Sequence, residues 1–331
     1  MITMRPVELT DATAQALWAE QQSELFARYG EPDADADFAL DLPPDALVTS
    51  LLAVSEEGEP VGTGLVRWSP FDSGAGSVEV KRLYVRPDAR GRGFARAIMA
   101  ALEEAALRAG AVRVVLETGV EQPEALALYE ALGYDRIAPY GEYMDDPRSV
   151  CFGRDLPTRV LVVNGTIGAG KTSTAAGVHD LLSERGSRTA YIDGDYLCQA
   201  EPFDAADPYK QDLLFKNLAA VAPVYREAGY GLVTISRVVE DPADRLRYAA
   251  AFGLPGAPAI VTIARVTAPE GVRMERIRAR EPEGYWQEWG FARTVELEDA
   301  LNSYGLDDIV VDNTGRPAKE TARELLEKLG W

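Results

Sequence analysis

The feature that most constrains this chain is a glycine-rich octapeptide placed directly after an apolar segment. The pattern GxxxxGK[ST] is matched by Gly165, Thr166, Ile167, Gly168, Ala169, Gly170, Lys171 and Thr172. The apolar residues 160–163 predict a strand before it, and residues 173–182 predict a helix after it. Because glycines let successive N–H groups turn inward and a helix N-terminus adds a positive end, this context predicts a phosphate-binding loop.

The end of this loop predicts contacts with ATP and Mg²⁺. Lys171 would place a positive charge on the β- and γ-phosphates, and the Thr172 hydroxyl would ligate Mg²⁺. Ser173, the next residue, is included among the predicted nucleotide contacts. The second half of the chain is therefore expected to use ATP and Mg²⁺.

Further along, an acidic pair and an arginine-rich segment suggest what the loop could serve. Asp193 and Asp195 close a predicted strand, where a carboxylate could take a proton from a substrate hydroxyl or serve Mg²⁺, with Asp195 as the candidate metal ligand. Arg276 and Arg280 could neutralise charge on a transferring phosphoryl group. A turn-forming aspartate pair and a solvated helix with ion pairs are the respective alternatives.

Together these features resemble the small-molecule kinases of the P-loop superfamily, such as adenylylsulfate, gluconate and chloramphenicol phosphotransferases, over about residues 159–331. The resemblance implies a parallel-sheet α/β/α domain that phosphorylates a hydroxyl. It implies that the segment after the last strand lies beside the adenine, which would bring Asn313, Arg316 and Pro317 to the nucleotide. The predicted strand 231–236 runs into Arg237 without a Walker B acid, so Asp193 or Asp195 would have to serve the metal.

A second glycine-containing motif lies in the first half, between a predicted strand over residues 77–85 and a predicted helix over residues 94–109. Its residues are Arg90, Gly91, Arg92, Gly93, Phe94 and Ala95. Backbone amides at a helix N-terminus can bind a diphosphate. The motif resembles the pyrophosphate-binding signature Arg/Gln-x-x-Gly-x-Gly/Ala of the GNAT superfamily of N-acetyltransferases, and the order of predicted elements is similar to that family over about residues 3–155.

The GNAT resemblance implies a mixed-sheet α+β domain that uses acetyl-CoA to acetylate an amine. It implies cofactor contacts from Leu83 and Val85, and it implies that Tyr129 is the general acid that protonates the departing thiolate. Glu79 could deprotonate the amine through a water molecule. A packed aromatic residue at position 129 and a surface strand residue at position 79 are the alternatives.

The composition limits the partners of the chain. A net charge of −19 argues against nucleic-acid binding, which normally needs a basic surface. The start of the chain lacks a signal-peptide pattern, and no apolar run reaches the roughly 18 residues that span a bilayer, so a cytoplasmic protein without membrane contact is expected. Two cysteines and one histidine disfavour a disulfide framework and a His-rich zinc site.

We therefore expect two domains, an acetyltransferase over residues 1–156 and a kinase over residues 157–331, that modify small molecules. The leading hypothesis is a bifunctional enzyme for resistance to, or tailoring of, an amino-sugar or nucleoside-like compound. In one alternative, one domain senses a nucleotide or acyl-CoA and regulates the other. In another, the second domain only hydrolyses ATP to drive a conformational change. The oligomeric state stays open, and the acidic residues 31–41 are predicted to form a surface loop or flap.

Overall fold

The computed structural model describes residues 2–30, 46–71, 74–202 and 204–331. The chain forms two compact units, Met1–Leu156 and Pro157–Trp331. The predicted acidic loop over residues 31–41 lies outside the described residues. In the parts that are described, no helix is both long enough and apolar enough to cross a membrane.

The first unit is built on a mixed seven-stranded sheet of order β1-β2-β3-β4-β5-β7-β6. Only β4 and β5 run parallel, and every other neighbouring pair is antiparallel. This arrangement confirms the predicted mixed-sheet GNAT fold. The elements are β1 (Ile2–Pro6), α1 (Ala12–Tyr29), β2 (Leu47–Ser55), β3 (Pro60–Trp68), β4 (Ser77–Val85), α2 (Phe94–Arg108), β5 (Arg113–Gly119), α3 (Pro123–Ala131), β6 (Asp135–Arg136) and β7 (Ser149–Asp155).

Helix α1 begins directly after Asp11, which caps it. The Asp11 carboxylate accepts hydrogen bonds from the backbone N–H groups of Thr13 and Ala14 at 2.9 and 3.0 Å. The helix then packs on the sheet, with the buried Trp18 donating through its indole N–H to Thr63 Oγ1 at 3.3 Å. The cap thus sets the start of the helix, and an apolar face holds it on the sheet.

Helix α2 packs closely against β3 because β3 carries glycines at the contact. A Cβ atom at Gly62 would lie 2.6 Å from the Tyr84 carbonyl oxygen and 3.0 Å from Ile98 Cδ1. A Cβ atom at Gly64 would lie 3.0 Å from both Ile98 Cγ2 and Leu102 Cδ1. Ile98 and Leu102 are fully buried, so this contact forms the centre of the first core.

The second unit has a five-stranded parallel sheet of order β12-β11-β8-β10-β9. Its elements are β8 (Arg159–Asn164), α4 (Lys171–Glu184), β9 (Thr189–Asp193), α5 (Gln211–Glu227), β10 (Leu232–Ser236), α6 (Asp244–Phe252), β11 (Ile260–Thr267), α7 (Glu270–Arg280), α8 (Tyr285–Tyr304), β12 (Ile309–Asp312) and α9 (Ala318–Leu329). The predicted second parallel-sheet unit is therefore present.

Helices cover both faces of this sheet. One core contains residues of α4 and α9 together with the strands, and the other contains residues of α5 and α6. Since all five strands are parallel, their carboxyl ends meet at one edge, where ligands bind in open α/β sheets. The loops after β8, β9, β10 and β12 therefore begin at the same edge.

The sequence did not predict α6, and it did not predict the long helix α8. In α8 the first residues, Tyr285 and Trp286, are exposed aromatics, whereas the buried apolar residues Leu297 and Leu301 lie near its end. Exposed apolar residues blur the period of 3.6 that identifies a helix. Only packing against α7 and the phosphate loop shows which face of α8 is buried.

The close approach of α2 to β3 predicts that Gly62→Ala destabilises the first unit. The added methyl would meet a backbone oxygen, and overpacking of this kind costs about 1–3 kcal/mol. The melting transition of the first unit, followed by scanning calorimetry of the full chain, should fall by roughly 2–12 °C.

The matched control is Gly271→Ala on α7, where an added Cβ meets no atom within 4 Å. An unchanged transition in the Gly62→Ala variant would show that β4 and α2 can both move away from Gly62 without loss.

Candidate functional site

The first candidate site lies where β4 and β5 separate. Their parallel ladder joins Ser77–Val80 of β4 to Arg113–Leu116 of β5 and ends there. Beyond it β4 continues to Val85, while β5 continues to Gly119 and pairs with β7. An opening between two parallel strands exposes backbone groups of β4 to an extended ligand.

The glycine-containing motif forms the loop that leads from β4 to α2. Gly91 and Gly93 have left-handed φ values of 76° and 80°, and a Cβ atom at either position would meet no atom within 4 Å. Gly93 is the N-cap of α2 and provides no side-chain cap, so the first N–H groups of the helix stay available. Phe94 is buried below the loop, and Ala95 follows it in the first turn. The arrangement can bind an anion such as a diphosphate.

The two arginines of this motif have different surroundings. The Arg90 guanidinium donates to both carboxylate oxygens of Glu24 at 3.0 and 2.5 Å, and its Nε donates to the Val85 carbonyl at 2.9 Å. Arg92 is exposed, with its guanidinium 4.7 Å from the centre of the Phe94 ring. The Arg90 side chain therefore stabilises the loop in this structure, and the cofactor contact predicted for Arg90 stays a prediction.

The carbonyls of β4 next to the opening have side-chain partners instead of a strand partner. Gln21 Nε2 of α1 donates to the Leu83 carbonyl at 3.0 Å, and Arg90 holds the Val85 carbonyl. A cofactor contact at Leu83 or Val85 would thus have to use other backbone atoms. The predicted contribution of these two residues stays a prediction.

Glu79 is a fully buried ion-paired carboxylate. Arg67 donates to its Oε2 through Nε and Nη2 at 2.9 and 2.7 Å. The Tyr140 and Tyr143 hydroxyls donate to Oε1 at 3.2 and 3.1 Å, and Lys81 Nζ, 3.9 Å from Oε1, also donates to the Tyr143 hydroxyl. Both oxygens are occupied, so Glu79 is not a surface strand residue, and its predicted role as a base is not supported by these contacts.

Glu117 on β5 is a better placed carboxylate, and the sequence reasoning missed it. It pairs across the sheet with Cys151 and lies on the same face as Val115 and Glu79, next to the opening. Ser149 Oγ donates to Glu117 Oε1 at 2.7 Å. Burial raises the pKa of Glu117, with the negative charges of Asp146 and Glu79 adding to the effect. The only signal in the sequence is an acidic residue that directly follows the apolar core of a strand.

Tyr129 on α3 is buried among aromatic rings. Its ring centre lies 5.6 Å from that of Phe152 and 6.1 Å from that of Tyr134. Burial raises the pKa of its hydroxyl, and the negative charge of Glu117 raises it further. The phenol is therefore protonated at neutral pH, and it lies near enough to Glu117 for the charge of that carboxylate to act on it. Its predicted role as the general acid stays a prediction.

The second candidate site is the loop between β8 and α4. Its glycines at 165, 168 and 170 have φ values of 142°, 80° and 108°. Added Cβ atoms would lie 2.4 Å from the Val266 carbonyl oxygen, 2.7 Å from the Arg273 carbonyl oxygen and 2.1 Å from Asn313 Nδ2, respectively. Only glycine fits these positions, because both the backbone angle and the space exclude a side chain.

Side chains hold the carbonyl oxygens of this loop from outside. Thr294 Oγ1 donates to the Ile167 carbonyl at 2.7 Å, and Asn313 Nδ2 donates to the Ala169 carbonyl at 2.9 Å. Arg276 Nη1 donates to the carbonyls of Gly168 and Ala169 at 3.2 and 3.1 Å. With carbonyls held outward, the loop can direct N–H groups toward an anion.

Arg276 and Asn313, predicted for catalysis and for adenine binding respectively, are part of this support. Arg276 also donates through Nη2 to the Asn313 carbonyl at 2.8 Å, so both terminal nitrogens of its guanidinium bind backbone carbonyls. The Asn313 side chain is buried and accepts a hydrogen bond from Thr321 Oγ1 at 2.9 Å. These contacts give both side chains a structural role, and their predicted roles toward ATP stay predictions.

The other predicted adenine contacts lie just beyond Asn313. Arg316 Nη2 donates to Glu324 Oε2 at 2.7 Å, and Pro317 is exposed at the start of α9. No described contact ties these residues to the phosphate loop. Their part in adenine binding remains a prediction.

Lys171 lies at the start of α4 and points back across the loop. Its Nζ donates to the Thr166 carbonyl at 3.0 Å. Burial lowers its pKa to about 8, against the opposing effect of Asp195, and the positive charges of Arg280 and Arg237 add to the lowering. Nearby, Thr166 Oγ1 is buried without a hydrogen-bond partner among the described residues. A partly buried cation and an unpaired hydroxyl fit an anionic ligand.

The acidic pair after β9 has two different environments. Asp193 Oδ1 accepts the backbone N–H of Asp195 at 3.0 Å, and the Tyr191 hydroxyl donates to Asp193 Oδ2 at 3.4 Å. Asp195 is exposed and pairs with Arg237, which follows β10. The Asp193 carboxylate therefore stabilises the turn, and Asp195 is the more exposed of the two.

Arg237 is a site residue that the sequence reasoning missed. It occupies the position after β10 where a Walker B acid was sought, and it is nearly buried. It also donates to the Tyr209 carbonyl at 2.5 Å. Arg280 in contrast is exposed and pairs only with its neighbour Glu281, at 2.8 Å, within the described contacts. Arg280 is thus the predicted arginine that remains available to a ligand.

The two residues predicted to serve Mg²⁺ are both exposed, Thr172 in the first turn of α4 and Asp195 after β9. Ser173, predicted as a nucleotide contact, is exposed beside Thr172. Across the described ranges, no group of three or more His, Cys, Asp or Glu side chains is arranged to hold a metal ion alone. Mg²⁺ commonly takes one or two protein ligands together with water and phosphate, so its predicted binding here would depend on a bound nucleotide.

Comparison with known proteins places the first unit in a family. The sequence model of the "Acetyltransferase (GNAT) family" matches residues 13–134. The IAA acetyltransferase of Azospirillum brasilense is 36% identical over 105 residues, which cover 32% of this chain and 67% of that protein. Acetyltransferase ECA0875 of Pectobacterium atrosepticum is 28% identical over 121 residues, 37% of this chain and 78% of that protein.

A solved structure of a GNAT superfamily phosphinothricin acetyltransferase from Sinorhizobium meliloti, in complex with AcCoA, is 19% identical. The match covers 47% of this chain and 88% of the chain in that structure, with a TM-score of 0.36. The family match over residues 13–134 lies wholly within the first unit.

The contacts of Glu79 predict a structural rather than a chemical role. In Glu79→Gln the buried Arg67 charge loses its counter-ion, which should lower the free energy of unfolding by about 3 kcal/mol. Denaturant unfolding of the full chain, followed at the transition of the first unit, measures this change.

Glu142→Gln is the control, because Glu142 is half exposed and lies 3.8 Å from Lys81. Its effect should stay within about 0.5 kcal/mol. Equal stabilities of the two variants would contradict the structural role of Glu79.

Proposed function

The chain belongs to the acetyltransferase (GNAT) family, and we propose that its first unit acetylates an amine of a small molecule while its second unit phosphorylates a hydroxyl. The proposal of acetyl transfer rests on the uncapped N-terminus of α2, which lies beside the opening between β4 and β5. The proposal of phosphoryl transfer rests on the loop at residues 165–172. Side chains from other elements bind carbonyls of this loop, and Lys171 Nζ lies against the loop at the Thr166 carbonyl.

In the first unit the pyrophosphate of acetyl-CoA would bind the N–H groups at the start of α2, with Arg92 as the available cation. The pantetheine arm would extend along the open edge of β4. Bound acetyl-CoA supplies a thioester whose carbonyl carbon the amine attacks. The protein must then remove a proton from the amine and return one to the departing thiolate.

Glu117 is assigned as the base and Tyr129 as the acid of this reaction. Partial burial raises the pKa of Glu117, which makes its carboxylate a stronger base than that of an exposed glutamate. Tyr129 remains protonated and can donate to sulfur. Glu79, whose oxygens are held by Arg67, Tyr140 and Tyr143, orders the neighbouring side chains instead.

Glu117→Gln should lower kcat for acetyl transfer by about 10²–10⁴, because a general base contributes that much. In the wild type, kcat/KM should rise with pH through the raised pKa of Glu117, since the carboxylate is the active form. The variant should lose this rise. Release of CoA with the best amine of a panel, measured between pH 5 and 9, provides both results.

The matched control is Glu121→Gln, an exposed glutamate just after β5. It should leave the rate and the pH profile unchanged. If Glu79→Gln removes the pH-dependent rise and Glu117→Gln does not, the base is Glu79 and the assignment to Glu117 is wrong.

In the second unit Lys171 and the loop N–H groups would hold the ATP phosphates, and Thr172 with Asp195 would serve Mg²⁺. Mg²⁺ supplies charge neutralisation on the β- and γ-phosphates when it is bound. Arg280 and Arg237, whose charges act on Lys171, would neutralise charge that develops on the transferred phosphoryl group. Asp195, paired with Arg237, is the carboxylate that could orient the acceptor hydroxyl or take its proton.

Lys171→Ala should weaken ATP binding about 10- to 100-fold, the loss expected for a charged hydrogen bond. In the wild type, affinity should fall as the pH rises through about 8, because the amine then loses its charge. The variant should lack this pH dependence. Titration calorimetry with Mg·ATP between pH 7 and 9.5 measures both effects.

The same variant separates the alternative functions. Loss of phosphorylation with unchanged acetylation supports two independent activities, whereas altered acetylation supports a nucleotide-sensing second unit. ATP hydrolysis that no acceptor accelerates would support a unit that only hydrolyses ATP. To identify the acceptors, amino sugars, nucleosides and polyamines are incubated separately with acetyl-CoA and with Mg·ATP. Mass spectrometry then shows which compounds gain an acetyl or a phosphoryl group.

A further inference from the structure

An aromatic-lined cavity of about 290 Å³ opens beside the phosphate loop of the second unit. Its walls are Ile167, Arg280, Glu281, Trp286, Trp289 and Gly290. Ile167 belongs to the loop itself, Arg280 ends α7, and the tryptophans belong to the first turns of α8. The cavity is thus formed where the loop, α7 and α8 meet.

The wall of the cavity is held in a fixed position. Thr294 of α8 is fully buried and donates to the Ile167 carbonyl at 2.7 Å. A Cβ atom at Gly290 would lie 3.2 Å from Ile277 Cγ2, so α8 lies close against α7 at this point. The start of α8 is therefore attached to the phosphate loop and to α7 by buried contacts.

The tryptophans that line the cavity are exposed. Trp286 is 65% exposed and Trp289 is 38% exposed, with ring centres 6.0 Å apart and planes at 82°. Tyr285, 70% exposed, lies 5.1 Å from Trp286 in ring-centre distance. Neighbouring exposed indoles at a cavity leave apolar surface in water, which is typical of a ligand-binding surface.

The charges at the cavity favour a neutral ring over a cation. An ammonium group could bind an indole face, but Arg280 already places a positive charge at this wall. Glu281 cannot attract a cation strongly because it is paired with Arg280 at 2.8 Å. A neutral, flat ring can stack on the indole faces without being repelled by the positive charge of Arg280.

The cavity is also close to the proposed site of phosphoryl transfer. The charge of Arg280, one of its walls, acts on Lys171, and Ile167 lies in the same loop. A molecule in the cavity would therefore lie near the terminal phosphate of a bound ATP.

We propose that this cavity binds the phosphate acceptor of the second unit, and that the acceptor carries its hydroxyl on an aromatic or sugar ring that stacks on Trp286 and Trp289. This inference rests on the proposed kinase function. In the reaction, the acceptor oxygen forms a bond to the γ-phosphorus and the bond between that phosphorus and the β,γ-bridging oxygen breaks. ADP leaves with the electron pair, and the hydroxyl proton passes to the Asp195 carboxylate or to water.

The test measures ADP release by the full chain with ring-bearing and acyclic hydroxyl compounds. Uridine, glucosamine and 4-nitrophenyl glucoside represent the first class, and glycerol and serine represent the second. Ring acceptors should raise ADP release more strongly. Trp286→Ala and Trp289→Ala should each raise the acceptor KM about tenfold, the loss expected for one stacking contact, and leave the KM of ATP unchanged.

Tyr304→Ala is the matched control, an exposed aromatic residue at the far end of the same helix, and Trp286→Phe should restore most of the acceptor affinity. Three results would overturn the inference. They are a preference for acyclic acceptors, an unchanged acceptor KM in both tryptophan variants, and a lack of stimulation by ring acceptors although ATP binds. Absence of ATP binding in calorimetry overturns the proposed kinase function instead, and with it the occupant of this cavity.

Discussion

In both units a helix begins at a glycine that offers no side-chain cap, and each candidate site depends on this start. Gly93 before α2 and Gly170 before α4 both have left-handed backbone angles. The first N–H groups of such a helix have no intrahelical partner, so they require water or a ligand, and the helix dipole favours an anion. Two different sheets, one mixed and one parallel, thus present the same kind of helix start.

Several polar side chains hold the loops before α2 and α4 in place. Arg90 pairs with Glu24 beside the first loop, and Arg276 and Asn313 hold carbonyls of the second. Burying charges and amides is costly unless every polar atom finds a partner, and here the partners are backbone carbonyls of the loops themselves. A change in the shape of either loop would leave these buried side chains without hydrogen-bond partners, which would cost free energy of folding.

The sequence allowed the two sheets and the positions of the glycine loops to be predicted well, whereas the contacts of the candidate catalytic side chains could not be predicted from it. The bounds of β4 and the start of α2 agree with the prediction, and the mixed sheet and the parallel sheet are both present. Glu79 was chosen as a base because it is an acid on the right strand, yet its oxygens are held by Arg67 and two tyrosines. Glu117 carries the same chemical group, and no local pattern separates the two.

The sequence by itself determined the elements that depend on neighbouring residues: the glycine loops, the capped start of α1 and the apolar strands. These follow from backbone angles and residue spacing over a few positions. Only the tertiary structure decided which charged group is free to react. Asp195, Arg237 and Lys171 come from three separate parts of the chain, where Asp195 pairs with Arg237 and burial lowers the pKa of Lys171. Such contacts join residues far apart in the chain, so the strand order of the sheet had to be known before their chemistry could be assigned.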